Sequence, residues 1–144
     1  LGEAAKYAKT TPEIYQTAIE PLKNQLRRGI VELIPNVTVD GDQTNCLPNI
    51  VNLSFAGVEG ESITLSLDDV GIAVSTGSAC ATGDIKPSHV LMAIKANPEL
   101  AHGSIRFSLG LNTTESDINY VLAKLPATIG QLRQISTVKI KGRK

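Results

Sequence analysis

Two residues stand out for the chemistry they can do: Cys80 and Arg106. Cys80 sits in "STGSACATGD", residues 75 to 84, with Gly77, Ser78, Ala79, Ala81, Thr82 and Gly83 around it. None of those side chains is large enough to bury a sulfur. A structural cysteine acts as a small hydrophobe among large apolar neighbours, whereas this one is presented by its loop. A free thiol titrates near ~8.5, so only a small fraction is thiolate at neutral pH, yet that fraction is a strong nucleophile. No lysine or histidine adjoins Cys80, so an activating partner must come from elsewhere. An extended chain from Ser75 lets the thiol reach roughly 17 Å from the strand that precedes it. On these residues alone, a reactive thiol and an incidental loop cysteine are both open.

Arg106 lies in "GSIRFSLG", residues 103 to 110. The alternation puts Ile105, Phe107 and Leu109 on one face of a strand, and Ser104, Arg106 and Ser108 on the other. A guanidinium on a rigid strand between two serines can take a carboxylate through two parallel hydrogen bonds. The alternative is a solvated or ion-paired surface residue. Other candidates are weaker. Cys46, before Leu47-Pro48, is expected to fill a gap near the sheet edge, and His89 and His102 to be surface histidines at helix ends. The spacings of Cys46, Cys80, His89 and His102 match no zinc pattern. Gly57 and Gly60 lie beside Glu59 and Glu61, which would repel an anion, so no phosphate cradle is expected there. Asp68-Asp69 reads as a solvated helix end.

The elements that must position these residues follow from periodicity. Thr11-Pro12-Glu13 has the chemistry of a helix start. Ile14, Ala18, Leu22, Leu26, Ile30 and Leu33 continue it at helical spacing, with a kink expected at Pro21. Val37–Val39 is a short strand, and "NIVNLSF", residues 49 to 55, is a second with Val51, Leu53 and Phe55 inward. Glu61 to Val70 reads as a helix stopped by Gly71, and Ile72–Val74 as a short buried strand. Pro87 opens a helix carrying Val90, Leu91 and Ile94, and the Arg106 strand follows. Thr114 and Asp117 have capping-box spacing before a long final helix that Pro126 interrupts and is expected to bend. This order predicts an α/β (α+β) sandwich: a small, mostly antiparallel sheet with helices packed on one face.

The totals narrow the class of function. The chain has 144 residues with 14 basic and 14 acidic side chains, which argues against a broad electrostatic footprint for nucleic acid or membrane. It has no Trp and few aromatics, so stacking platforms for bases are absent. No apolar run approaches the ~20 residues of a membrane helix. Both cysteines are expected as free thiols in a reducing cytoplasm. The opening "LGEAAKYAK" already has helical composition, which suggests a cut within a helix and hence a piece of a longer protein. A tag-trimmed complete domain is the alternative.

"LPNIVNLSFAGVEGESITLSLDDVGIAVSTGSACATGDIKPSHVLMAI" followed by "GSIRFSLGLNTTESDI" closely resembles the C-terminal part of the cysteine desulfurases. These are pyridoxal-phosphate enzymes of the class V aminotransferase group, and the segment around Cys80 resembles the branch with a long cysteine loop. The resemblance runs from about Leu1 to Ile135. It implies the small domain of a fold-type-I enzyme over residues 11–136, preceded by the tail of a linking helix (1–10) and followed by a basic tail (137–144). It implies that Cys80 takes sulfur from L-cysteine, releasing alanine and leaving a persulfide for an iron–sulfur scaffold or another acceptor, and that Arg106 holds the substrate's α-carboxylate. It also implies a homodimer. The family's cofactor lysine and phosphate site belong to a large N-terminal domain with no counterpart here, so this chain alone is expected to bind no pyridoxal phosphate and to be inactive. Cys46 stands where many relatives carry a basic residue, and no function follows from it. A free-standing persulfide carrier, or a related selenocysteine lyase, is the alternative.

Overall fold

The computed structural model describes residues 2–7, 11–76, 89–94 and 98–137. Cys80 and its flanking segment, Pro87 and the basic tail from residue 138 lie outside the described residues. The elements are α1 (Gly2–Tyr7), α2 (Thr11–Ile14), a π-helical turn (Tyr15–Ile19), α3 (Glu20–Leu33), β1 (Val37–Asp40), β2 (Ile50–Phe55) and α4 (Gly60–Asp68). They continue with β3 (Ser75–Thr76), α5 (His89–Ala93), α6 (Pro98–Ala101), β4 (Ser104–Ser108) and α7 (Glu115–Ile135).

The four strands form one antiparallel sheet in the order β1-β2-β4-β3. Its register follows the alternation in the sequence. Val39 pairs with Leu53 and Leu53 with Ile105, while Val51 pairs with Phe107. Paired residues share a face, and a slip of one residue would turn every apolar side chain to the wrong side. Helices α3, α4 and α7 cover that apolar face with Leu26 and Ile30, Ile63 and Leu67, and Ile118, Leu125 and Ile129, all buried. The expected sandwich is therefore the observed one.

Three local features seat the sheet. At Gly103 a Cβ would lie 2.2 Å from the Phe55 carbonyl oxygen and 2.7 Å from that of Val58, so only glycine lets β4 enter beside the end of β2. Arg133 on α7 donates from Nε to the Ala56 carbonyl (3.0 Å) and from Nη2 to that of Pro35 (2.9 Å), tying the last helix to the turns around β1 and β2. The capping box of α7 is complete: Thr114 Oγ1 accepts from the Asp117 amide and the Asp117 carboxylate accepts from that of Thr114.

Three expectations are corrected. The first helix changes phase at the π turn, where one extra residue rotates the apolar stripe. Ile19 is buried in place of Ala18, and Ile14 and Leu33 are exposed. Pro21 lies two residues past that turn, in a helical run unbroken from Thr11 to Leu33. Ile72–Val74 makes no ladder. Gly71 turns the chain with φ +78°, the Ile72 amide bonds back to Leu67, and hydrogen bonding to β4 begins only at Ser75. Helix α7 runs continuously through Pro126.

Candidate functional site

The polar face of the sheet is built from the positions the apolar core leaves over. In register, Asp40 on β1 pairs with Asn52 on β2, Asn52 with Arg106 on β4, and Arg106 with Ser75 on β3. One row of side chains thus crosses all four strands on one face, with Thr38, Ser54 and Ser104 in the next row. Asp40 and Arg106 are the sheet's anionic and cationic residues.

The carboxylate end of the row is closed. Asp40 Oδ2 accepts from Asn52 Nδ2 (2.7 Å) and from Ser54 Oγ (2.7 Å), and Asn52 Nδ2 also donates to Ser104 Oγ (2.9 Å). Ser54 and Ser104 are buried. Burial pushes the Asp40 carboxyl above its ordinary range, against the opposing pull of the Ser54 and Asn52 hydrogen bonds. The cation end is open. Arg106 is exposed, and among the described residues its guanidinium has no hydrogen-bond or ion-pair partner. Two strand spacings, about 10 Å, separate the backbones of Asp40 and Arg106, too far for a direct pair. Among the described residues the sheet's one anion is thus held by its neighbours, and the guanidinium's five donors are left without a protein partner.

Of the residues singled out in the sequence, Arg106 takes the expected strand position. Cys80 lies outside the described residues, but its tether is anchored: Ser75 and Thr76 pair with Arg106 and Ile105. Cys80 is four residues past Thr76 in the chain, a separation that a fully extended backbone spans in about 14 Å. His89 and His102 are exposed at the first residue of α5 and in the turn before β4. Cys46 is exposed, not filling a gap near the sheet edge: its sulfur is held at the surface by a hydrogen bond from Lys23. Among the described residues no three His, Cys, Asp or Glu are placed to hold a metal. Sequence reasoning missed the Asp40–Asn52–Ser54–Ser104 network. Its signal was the run of polar residues on alternate positions of neighbouring strands, but the strand expected over Val37–Val39 stops one residue short of Asp40.

A family model described as aminotransferase class-V matches residues 1–121. The chain belongs to the class-V aminotransferases. Among class-V relatives, it is 43% identical over 136 residues to the cysteine desulfurase NifS of Azotobacter vinelandii, covering 94% of this chain and 34% of that protein. To the cysteine desulfurase IscS of Dictyoglomus turgidum it is 47% identical over 139 residues, covering 96% and 35%. A solved NifS-like protein superposes with a TM-score of 0.67 at 29% identity, covering 79% of this chain and 28% of the other. A NifS-like protein from Rickettsia africae, at 23% identity and a TM-score of 0.62, shares the fold. The chain thus spans about a third of the length of the relatives it matches.

Proposed function

We propose that this chain is the thiol-bearing, substrate-clamping part of a cysteine desulfurase acting in the cytoplasm. The observation that carries the reading is the position of Arg106: exposed, unpaired among the described residues, and in register with Ser75 at the root of the Cys80 segment. A carboxylate held by Arg106 leaves the rest of a small amino acid within reach of the thiol. The sulfur of L-cysteine then joins that of Cys80, the substrate's Cβ–S bond breaks, and the β-carbon gains a hydrogen to leave as alanine. The persulfide passes to an acceptor such as an iron–sulfur scaffold, for which a thiol on a tether of small residues is suited.

Pyridoxal phosphate, which this family uses, supplies the electron sink that weakens the bond to sulfur. The described lysines, Lys6, Lys23 and Lys124, all lie on helices and none on the sheet face with Arg106. The described residues therefore do not fit a cofactor cradle, and the group would be held by other parts of the enzyme, in which the homodimer would also be formed.

The test is turnover of L-cysteine by the enzyme carrying this chain, with alanine measured and the persulfide trapped by alkylation and mapped. Cys80→Ser should abolish both products while the cofactor's absorbance is unchanged. Alanine release at the normal rate from that variant would remove Cys80 from the reaction. Release of selenium from selenocysteine with L-cysteine untouched would assign the chain to a selenocysteine lyase.

A further inference from the structure

A second thiol has the surroundings of a reactive group. Lys23 is 2% exposed, an unusual state for an ammonium, and its Nζ donates to Cys46 Sγ at 3.4 Å and to the Leu47 carbonyl at 3.1 Å. Glu20 Oε1 lies 3.5 Å from the same nitrogen, at the solvent side. Cys46 itself is exposed. The loop that carries it is held by Asp42, whose carboxylate accepts from the amides of Thr44 and Asn45 and from the Thr44 hydroxyl. Lys23, Asp42, Cys46, Leu47 and Asn52 line a cleft of ≈ 210 Å³ that opens to solvent. The feature is therefore a pair, a solvent-facing sulfur and a buried cation aimed at it, beside space for a small molecule.

We propose that Cys46 and Lys23 form a hydroperoxide-responsive modification site, separate from the sulfur-transfer chemistry. Cys46 attacks the terminal oxygen of a hydroperoxide and releases its proton to solvent as the bond forms. An S–O bond forms and the O–O bond breaks. The electron pair leaves on the far oxygen, which takes a proton from the Lys23 ammonium and departs as water or an alcohol. The sulfur is oxidised to a sulfenic acid, the peroxide is reduced, and Lys23 recovers its proton from solvent. A positive charge 3.4 Å from the sulfur stabilises negative charge on the attacking atom and on the oxygen that leaves. The product is the reversible step of cysteine oxidation, which a thiol reductant reverses.

The protein carrying this chain is treated with hydrogen peroxide in the presence of dimedone, and the adduct on the Cys46 peptide is timed by mass spectrometry beside N-acetylcysteine. Cys46 should react roughly tenfold faster than the free thiol, the gain one hydrogen bond from a charged donor gives. Lys23→Gln keeps a donor for the Leu47 carbonyl and removes the charge, and should bring the rate down to that of the free thiol. Glu20→Gln, at the exposed rim, should raise it. A Cys46 rate at or below that of N-acetylcysteine overturns the proposal. So does a Lys23→Gln variant that melts normally and reacts as fast as the parent. Should that variant fail to fold, the comparison of the unaltered protein with N-acetylcysteine still decides.

Discussion

Replacing Arg106 by alanine separates a binding role from a structural one, because the structure assigns them very different magnitudes. The side chain is exposed and, among the described residues, unpaired. Its removal leaves no buried group without a partner, and an exposed substitution of this kind shifts stability by about 0.5 kcal/mol or less. For a chain of this size that is a melting shift of about 2 °C. A substrate carboxylate held by two parallel hydrogen bonds loses far more. Each bond to a charged group contributes about 1.5–3 kcal/mol, so a net loss near 3 kcal/mol lowers kcat/KM by about a hundredfold. The loss should fall mainly on KM. Arg106→Lys keeps the charge but not the planar fork and should fall between the two. The assay is alanine release against L-cysteine concentration, run beside thermal denaturation of the same preparations. A KM unchanged in Arg106→Ala, or a stability loss of several kcal/mol, would refute the clamp.

Two further outcomes follow from the packing and the electrostatics. Gly103→Ala should cost about 3 kcal/mol or more, since its methyl would meet two backbone carbonyls that cannot move without separating β4 from β2, whereas Gly110→Ala, with nothing within 4 Å, should be nearly neutral by chemical denaturation. The two aspartates before and after Gly41 should act on pH stability with opposite sign. Asp42 is pulled down to about 2 by the Asn45 and Thr44 amides and the Thr44 hydroxyl, so its contribution is present above the ordinary 3.8 and is lost as pH falls from there toward 2. Asp40 is raised by burial, so its contribution is present below 3.8 and is lost as pH rises through its higher folded value. Asp42→Ala should therefore destabilise at neutral pH and converge with the parent in acid. Asp40→Asn should remove the decline just above pH 4, read from denaturation midpoints across that range.

Much of the fold was legible because it depends on local periodicity. The alternation in residues 49 to 55 and 104 to 108 selected the apolar face of β2 and β4, and Thr114 with Asp117 marked the start of α7. What escaped was set by long-range contact. The helix from Thr11 was read in phase throughout, but its π turn rotates the stripe so that Ile19 and Lys23 face inward. No residue type marks such an inserted position. The apolar triplet Ile72–Val74 had the composition of a strand, yet pairing depends on where the backbone meets β4, and that meeting is at Ser75.

The sequence by itself determined which side chains are available for chemistry, a thiol at position 80 among small neighbours and a guanidinium on an alternating strand, because side-chain type and period are local properties. Only the tertiary structure decided what stands beside them. Cross-strand register placed Asp40, Asn52, Arg106 and Ser75 in one row. The packing of α3 brought the Lys23 ammonium to Cys46, distant in the chain. Neighbours of that kind are created when the chain folds back on itself, and no stretch of sequence read alone contains them.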